Sequence, residues 1–368
     1  MTKTAAETTL TQETHWPDGL RILCVRPDNL GDVLMTTPAF RAMKETWPAC
    51  HLTLLTSSAG AAVAQYIDEL DAVITFDVPW VAGRSGTPKA VSDVADRLRA
   101  GHYDAAVVFT VQSQNPLPAA MLCYLAGIPN VLGYCRENPY QLLTHWVPDT
   151  EILVATRHEV ERQLALVESV GCRTSQQQLS LRIAEADRLL ARQALVRAGV
   201  DTDRPWLVVH PGASEEKRRY PLDCFIEAAD LLIREHAYQL VLTGTASERP
   251  LAETFRQQLG EKAVNLAGEL PLSQFMGLLA DAPLLLSNNT GPVHIAAALQ
   301  TPVVVLYAKT NPQHTPWQVP SRVLYFDVPQ SLRSRNVLLQ QFPQPAQPVA
   351  SPAAIVQAVR ALSIVYNP

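Results

Sequence analysis

Short apolar runs alternate with segments of helical spacing along most of this 368-residue chain. In the first half, they predict strands at 21–26, 51–56, 72–76, 104–109 and 131–133, and helices at 32–46, 89–99, 117–126 and 159–170. In the second half, they predict strands at 205–210, 239–243, 283–287 and 302–306, and helices at 184–198, 223–234, 248–259, 273–279 and 291–299. Because strands separated by helices form βαβ units, each half is predicted to be an α/β unit with a doubly wound parallel sheet.

The length of the chain indicates two domains, since single hydrophobic cores stop growing at roughly 250–300 residues. The alternation pauses at a polar, Gln-rich stretch and then restarts, which predicts an N-terminal Rossmann-like domain at 21–172, a linker at 173–185 and a C-terminal Rossmann-like domain at 186–350. Residues 1–20 are predicted to be a flexible leader, and the helix at 351–368 is predicted to pack back on the N-terminal domain after a Pro- and Gln-rich stretch at 318–352. Ligands of such sheets bind beyond the carboxyl ends of the strands, so two facing domains predict an interdomain cleft.

Composition narrows the classes of protein that fit. The net charge of −5 offers no basic surface for nucleic acid. No apolar run approaches the roughly 20 residues that span a bilayer, and the first 20 residues contain no apolar signal-peptide core. Six scattered cysteines without a Cys-x-x-Cys pair indicate buried thiols in a reducing compartment: Cys24, Cys50, Cys123, Cys135, Cys172 and Cys224.

The first loop with candidate chemistry is 26–32, between the first predicted strand and the first helix. Gly31 permits a close approach to the backbone, and Asp32 stands at the start of the helix. A carboxylate there is either a helix cap or a general base that faces the cleft.

The second loop is 210–221, after the first strand of the second domain. Gly212, Ala213 and Ser214 can present backbone amides and a hydroxyl to phosphate, and three adjacent cations follow at 217–219. A solvated basic run is the alternative, but the position in a βα loop favours an anion site.

The third loop is 287–294, which has the pattern of a strand, a tight turn and a helix start. Thr290 can cap the helix, Gly291 lets a ligand approach the backbone, and Pro292 suits the first helical turn. The free amides of a helix N-terminus can bind phosphate, although an ordinary βα turn would have the same spacing.

Together the three loops predict an acid or base on one domain and phosphate-binding groups on the other, which suits group transfer from a diphosphate donor. The chain has no Gly-x-x-x-x-Gly-Lys-Ser/Thr run, so P-loop ATPase chemistry is unsupported. No Gly-x-Gly-x-x-Gly follows the first strand, which argues against a dinucleotide-dependent oxidoreductase.

Five short motifs occur in order at 29–39, 158–166, 210–221, 265–268 and 289–294. Together they resemble the motifs of glycosyltransferase family nine, the lipopolysaccharide heptosyltransferase family, over about residues 21 to 306. The resemblance implies a GT-B fold and inverting transfer of a sugar, commonly L-glycero-D-manno-heptose from ADP-heptose, to a hydroxyl of a glycolipid acceptor such as the lipopolysaccharide core. It implies no metal and no cofactor beyond the nucleotide-sugar donor. It also implies a cytoplasmic protein with peripheral contact to the inner face of the cytoplasmic membrane through a lipid acceptor.

The resemblance also assigns roles to residues. Asp32 matches the general base of the family, with Asn29 and Gly31 on the acceptor side. The implied residues for the donor phosphates and sugar are Gly212, Ala213, Ser214, Lys217, Arg218, Asn289, Thr290, Gly291 and Pro292. The implied residues for the nucleoside are Thr243, Gly244, Glu248 and Gly268.

Two positions depart from the family pattern. Asn289 stands where the family usually has Asp, so the position keeps its size but loses its charge. In the donor loop, Arg218 and Tyr220 stand where the family has Lys and Trp, and Lys217 lies one place earlier. Asn289 and the Pro- and Gln-rich tail leave open a family member with another donor or a non-lipid acceptor. Two further alternatives are a donor-binding scaffold with weakened catalysis and a nucleotide-sugar epimerase. Some epimerases share the GT-B fold, but the paired motifs argue against one.

Overall fold

The computed structural model of the chain describes residues 16–81, 86–151, 157–308, 312–328 and 349–366. Two parallel six-stranded sheets form the framework, with strand orders β3-β2-β1-β4-β5-β6 and β12-β11-β10-β7-β8-β9. The strands of the first sheet are β1 (Arg21–Arg26), β2 (His51–Thr56), β3 (Ala72–Thr75), β4 (Ala105–Val108), β5 (Asn130–Cys135) and β6 (His145–Pro148). The strands of the second sheet are β7 (Trp206–His210), β8 (Gln239–Leu242), β9 (Ala263–Asn265), β10 (Leu285–Asn288), β11 (Val303–Ala308) and β12 (Ser321–Phe326). The predicted α/β class with two doubly wound sheets is confirmed.

Helices cover both sheets. Those of the first half are α1 (Leu30–Thr46), α2 (Ser58–Ala64), α3 (Pro88–Ala100), α4 (Leu117–Leu125) and α5 (Glu159–Glu168). Those of the second half are α6 (Glu185–Arg197), α7 (Leu222–His236), α8 (Arg249–Leu259), α9 (Leu272–Asp281), α10 (Gly291–Ala298) and α11 (Pro352–Tyr366). The central strands β1, β4, β7, β10 and β11 are buried along almost their whole length, as expected for parallel strands with helices on both faces.

Each sheet reverses its strand order at one point, between β1 and β4 in the first half and between β7 and β10 in the second. A crevice for ligands opens at such switch points, beyond the carboxyl ends of the strands. The first turns of α1 and α10 begin there, and these two helices pack against each other between the halves.

Helix α1 continues through Pro38, which cannot donate a hydrogen bond to the carbonyl of Leu34. The hydroxyl of Thr37 donates to that carbonyl instead, at 2.7 Å. The buried carbonyl therefore keeps a partner, and the helix stays intact in the tightly packed interior of the first half.

The C-terminal helix contradicts the prediction that it packs back on the N-terminal domain. Helix α11 packs on α7 and on strands β11 and β12 of the second half, and its buried Ile355 and Val359 join the core that contains Phe225. The amide of Ala350 donates to the carbonyl of Tyr325 at 2.7 Å, so the chain is already attached to β12 when α11 begins. The apolar face of α11 therefore reaches the adjacent apolar face of α7.

Two further segments differ from the prediction. Strand β12 lies within 318–352, which was predicted only as a Pro- and Gln-rich tail, and residues 329–348 lie outside the described residues. Of the predicted flexible leader, residues 1–15 lie outside the described residues, but Trp16 is 6% exposed and stacks on Trp47 with ring centroids 5.8 Å apart. The end of that segment is therefore anchored to the first half rather than flexible.

The predicted linker at 173–185 is also tied to the first half. Arg41 donates hydrogen bonds of 2.7 Å to the carbonyls of Gln176 and Gln178, and the amide of Ser180 donates to Thr37 at 2.8 Å. All six cysteines are free thiols, five of them buried. Among the described helices, none is both long enough and apolar enough to cross a membrane.

Candidate active site

A cavity of about 670 Å³ opens between the carboxyl ends of the two sheets. This volume lies within the range of about 300–1,000 Å³ that is usual for ligand pockets. The predicted site residues in its lining are Asn29, Gly31, Asp32, Ala213, Ser214, Arg218, Thr243, Gly244, Glu248, Asn289, Thr290, Gly291 and Pro292. The lining does not include the predicted residues Gly212, Lys217 and Gly268. The folded chain thus brings three distant loops to one cavity.

Asp32 serves the helix and faces the cavity at the same time. Asn29 is the N-cap of α1, and Asp32 is the third helical residue. Its Oδ2 accepts a hydrogen bond of 3.2 Å from the amide of Asn29, while its Oδ1 lies 3.5 Å from Nη2 of Arg26. The Asp32 side chain is 15% exposed and belongs to the cavity lining. The two sequence-based interpretations, a capping carboxylate and a carboxylate facing the cleft, therefore both hold for the geometry.

Behind Asp32 lies a buried group of charges that contains one cation and two carboxylates. Arg26 is fully buried at the end of β1, with Glu159 at 2.7 Å and Asp28 at 3.3 Å. Burial would raise the pKa of Glu159, but the charge of Arg26, assisted by His314, outweighs burial and lowers that pKa to about 2. Burial raises the pKa of Asp28 to about 6 against the opposing charge of Arg26. Glu159 is therefore the fully ionised partner of Arg26.

The start of helix α5 joins the first half to the second. His158, its N-cap, stacks on Trp317 with ring centroids 4.4 Å apart, and its Nε2 is 2.9 Å from the carbonyl of Thr315. Nε2 of His314 lies 3.8 Å from Glu159. Burial lowers the pKa of His158, so the neutral ring is favoured in this contact. These contacts place the 312–317 segment of the second half beside the charges that surround Arg26.

In the loop after β7, three consecutive cations have different positions. Arg219 donates to the carbonyl of Ala213 at 3.0 and 2.9 Å and so holds the loop in shape. Arg218 lines the cavity and also pairs with Glu215 at 2.9 Å. Lys217 pairs with Glu215 at 2.7 Å outside the cavity lining. Arg218 and Arg219 thus both line the cavity, with Arg219 engaged on the carbonyl of Ala213, while Lys217 does not line it.

Glu248 lines the cavity and lies close to Gly212 and Gly244. It accepts hydrogen bonds from the amide and the hydroxyl of Thr245, at 2.8 and 2.9 Å. A Cβ at Gly212 would lie 2.1 Å from Oε1 of Glu248, and a Cβ at Gly268, whose φ is +75°, would lie 2.8 Å from Cα of Ala246. Although Gly212 and Gly268 do not line the cavity, they leave the space that Glu248 and its loop occupy.

Helix α10 begins at the cavity wall. Thr290 is its N-cap but makes no side-chain capping bond, so the first amides of the helix keep no partner from that side chain. The preceding Asn289 is 4% exposed, and within the described part of the chain its Oδ1 has no hydrogen-bond partner. The neighbouring Asn288 is fully occupied, since it accepts from the amide of Tyr220 at 3.0 Å and donates to the carbonyl of Pro211 at 2.7 Å. A helix N-terminus and an unpaired amide oxygen therefore lie side by side at the cavity.

The chain matches the model of "Glycosyltransferase family 9 (heptosyltransferase)" over residues 91–343. The chain belongs to glycosyltransferase family 9. Among curated proteins, it is 27% identical over 311 residues to lipopolysaccharide heptosyltransferase 2 of Escherichia coli K12, covering 81% of this chain and 85% of that protein. It is also 27% identical over 292 residues to lipopolysaccharide heptosyltransferase 3 of the same strain, covering 78% of this chain and 82% of that protein.

Solved structures of family 9 members have the same fold. A glycosyltransferase family 9 protein from Veillonella parvula aligns with a TM-score of 0.78 and 21% identity, over 96% of this chain and all of that chain. The ADP-heptose lipopolysaccharide heptosyltransferase II of E. coli aligns with a TM-score of 0.70 and 24% identity, over 95% of this chain and all of that chain. The predicted GT-B fold is thereby confirmed, and membership of family 9 makes the chain a glycosyltransferase.

Two parts of the candidate site were missed by reasoning from the sequence. The first is an apolar wall of the cavity that comes from the segment after β9 and from α9: Leu266, Leu270, Leu272 and Phe275. The second is the contact of Glu159 with Arg26 and His314. The apolar residues have the spacing of ordinary core positions, so no signal marked them. Glu159 did belong to a motif at 158–166, but the motif did not indicate which distant residue Glu159 contacts.

Within the described ranges, no group of three or more His, Cys, Asp or Glu side chains could hold a metal ion. That the reaction uses no metal remains a prediction from the family resemblance.

Proposed function

We propose that this family 9 protein transfers a heptose from ADP-heptose to a hydroxyl of a lipopolysaccharide core-type acceptor, with inversion at the anomeric carbon. The observation that carries the proposal is that the Asp32 carboxylate and the N-terminus of α10 line one cavity from opposite halves of the protein. The names of the relatives support the substrate, since they include lipopolysaccharide heptosyltransferases 2 and 3. One solved structure of this fold, E. coli WaaC, contains ADP-2-deoxy-2-fluoro heptose.

The donor occupies the second half of the protein. Its diphosphate lies at the first amides of α10 and beside Arg218 and Ser214, where the helix dipole and the guanidinium both favour negative charge. Glu248 receives the hydroxyls of the ribose, with Thr243 and Gly244 beside it. The apolar wall that includes Phe275 packs on the base. The first half then holds the acceptor, with Asn29 and Gly31 beside its hydroxyl.

The chemical step is a single displacement. Asp32 takes the proton of the acceptor hydroxyl while that oxygen forms a bond to the anomeric carbon. The bond between the anomeric carbon and the diphosphate oxygen breaks on the opposite face, and its electron pair leaves with ADP. Arg218 and the amides of α10 stabilise the charge that develops on the leaving group, so they act most strongly in the transition state.

Asn289 is one of the positions at which this chain departs from the family pattern. Its buried Oδ1, which has no partner within the described residues, accepts a hydrogen bond from a hydroxyl of the donor sugar. An amide oxygen is a weaker acceptor than a carboxylate, so this contact orients the sugar without adding charge beside the diphosphate.

The acceptor also sets where the protein works. The protein works in the cytoplasm, and because a lipopolysaccharide core is built on a lipid, it meets the inner face of the cytoplasmic membrane through that lipid.

The test is a transfer assay with the purified full chain, ADP-L-glycero-D-manno-heptose and a lipopolysaccharide core acceptor that lacks heptose. Transfer from ADP-heptose, with none from GDP-mannose or UDP-glucose, is expected, and NMR of the product reports the anomeric configuration. Asp32→Asn should lower turnover by about 100-fold or more while calorimetry with ADP shows unchanged binding. The matched control is Glu45→Gln, because Glu45 lies on the same helix α1 but is exposed and does not line the cavity.

The proposal has two ways to fail. If Asp32→Asn turns over at the wild-type rate, Asp32 is not the base. If the sugar moves only from a GDP- or UDP-linked donor, the donor assignment is wrong.

A further inference from the structure

Glu159 and Asp32 compete for one nitrogen of Arg26. Nη2 of Arg26 donates to Oε1 of Glu159 at 2.7 Å and lies 3.5 Å from Oδ1 of Asp32. We propose that Glu159 is a positioning residue, which holds the Arg26 guanidinium away from Asp32 and so keeps the Asp32 carboxylate a strong enough base for the acceptor hydroxyl. This inference rests on the proposed function, because it assigns a role relative to the proposed base.

The hydrogen bonds of Arg26 support this division. Among the described residues, Nη2 donates the hydrogen bonds of this side chain, while Nε and Nη1 have no hydrogen-bond partner. The contact of Nη2 with Glu159 has the distance of a strong charge-assisted bond, and its contact with Asp32 is at the outer limit of a hydrogen bond. Nη2 of Arg26 is thus bound more closely to Glu159 than to Asp32, whose side chain lines the cavity.

Burial makes the alternative arrangement costly for catalysis. Arg26 and the Glu159 side chain are 0% exposed, so a guanidinium that lost Glu159 could not turn to water. Asp28 already lies 3.3 Å from Nε, so the next acceptor for Nη2 would be Asp32, which would then be held as an ion pair. A carboxylate paired with a cation at short range gives up its basicity, since an opposite charge favours the ionised form.

The arrangement also involves the second half of the protein. His314 lies 3.8 Å from Oε2 of Glu159, and Gln163 donates to Oε1 at 2.7 Å. Glu159 is therefore held from both halves. The charged and titratable groups that face Glu159 and Asp32 are Arg26, Asp28, His158, Arg162, His294, His314 and Arg218.

The test is the pH dependence of kcat/KM for Glu159→Gln in the heptose transfer assay. Without the Glu159 charge, Arg26 pairs with Asp32 and favours its ionised form. The acid limb of the kcat/KM profile should therefore move to lower pH by about one unit. The plateau rate should fall by up to about tenfold, because a weaker base accepts the proton less readily. The dissociation constant for ADP, measured by calorimetry, should stay within about twofold of the wild type.

The chain offers a matched control in Glu151→Gln. Glu151 is also buried, also pairs with a buried arginine (Arg162, at 3.2 Å), and also accepts from the second half (Gln313, at 2.7 Å). It has no contact with Arg26, so its variant should keep the acid limb at the wild-type pH. If both variants lower the rate and neither moves the limb, Glu159 has only a structural role and the inference is wrong.

A second variant covers the case in which Glu159→Gln does not fold, as judged by loss of ADP binding. Glu159→Asp keeps the charge but shortens the side chain by one methylene, so the limb should move by less than in Glu159→Gln while turnover still falls. A limb at the wild-type pH with reduced turnover would contradict the inference. The Asp32→Asn variant separates the two proposals: if it remains active the proposed base is wrong, and if it is inactive while the limb of the Glu159 variants stays fixed, only the positioning role is wrong.

Discussion

Gly31 lies against the imidazole of His294, so closely that a Cβ at residue 31 would be 2.6 Å from Cδ2 of the histidine. The two residues belong to α1 and α10, the helices that meet between the two halves of the protein. A side chain at residue 31 would therefore push the halves apart at the point where the proposed base and the proposed diphosphate site face each other.

The first prediction concerns Gly31→Ala. Alanine favours an ordinary helix over glycine by about 0.5–1 kcal/mol, so without His294 the variant would be stabilised. Against His294 the added methyl overpacks the contact, and we expect a net loss of about 1–3 kcal/mol in the free energy of unfolding and a lower kcat. Urea unfolding and the heptose transfer assay measure the two effects.

The control for this contact is a double-mutant cycle with His294→Ala. If the clash is the cause, Gly31→Ala should cost nothing, or should stabilise, in the protein that already lacks the imidazole. Additive losses in the double variant would show that the two residues act independently.

The second prediction separates Arg218 from Lys217. Both pair with Glu215, at 2.9 and 2.7 Å, but Arg218 alone lines the cavity. Loss of a charge-assisted contact costs about 1.5–3 kcal/mol, so Arg218→Gln should lower kcat/KM for ADP-heptose by roughly 10- to 100-fold. Lys217→Gln loses a comparable ion pair with Glu215 and should stay within about twofold. Equal losses of kcat/KM in the two variants would show that the ion pairs with Glu215, and not the position of Arg218 in the cavity, determine the activity.

The third prediction concerns Gly212, which affects the site without lining it. A Cβ at residue 212 would be 2.1 Å from Oε1 of Glu248, so Gly212→Ala should displace this carboxylate and weaken ADP binding. Calorimetry with ADP should show a loss similar to that of Glu248→Ala. In a chain that already carries Glu248→Ala, the Gly212→Ala change should add little, and a full further loss there would mean that Gly212 acts through another contact.

The sequence predicted those parts of the fold whose residues are buried on both faces. Strands such as β1, β7 and β11 are continuous apolar runs and were placed within one or two residues. The edge strands β6, β9 and β12 were missed because they are only partly buried and so lack a continuous apolar signal, and β6 and β9 are also short. Helix α11 was predicted as a helix, but its packing partner was predicted wrongly, because an apolar face can pack on either of two similar domains.

The sequence predicted those residues of the candidate site that lie in loops directly after strands. The loops that contain Asp32, Arg218 and Thr290 all begin at the carboxyl ends of predicted strands, and parallel topology brings such ends together. The contact between Arg26 and Glu159 was not predictable in this way. These residues are 133 positions apart, and only the packing of α5 on α1 brings them within 2.7 Å.

The fourth prediction concerns the pH dependence of stability near neutral pH, to which the buried His294 is expected to contribute. Burial, together with the charges of His314, His158 and Arg218, lowers the pKa of His294 from 6.5 to about 3. In the unfolded chain the imidazole returns to its ordinary pKa, so below about pH 6.5 the unfolded state binds a proton that the folded state does not. Protonation therefore favours unfolding: the contribution is present in full above about pH 6.5 and is lost as the pH falls towards 3.

His294→Gln removes this titration and supplies the comparison. Between about pH 7.5 and pH 5.5, the wild type should lose about 1.4 kcal/mol more unfolding free energy than the variant, because each unit below the ordinary pKa corresponds to roughly 1.4 kcal/mol. Urea unfolding at the two pH values measures the difference. Asp28, whose pKa burial raises to about 6, takes up a proton in the same window and opposes the loss, but it does so in both proteins and cancels. If wild type and variant lose the same free energy, the folded protein already protonates His294 at pH 5.5, which would mean that this imidazole is not shielded between α1 and α10.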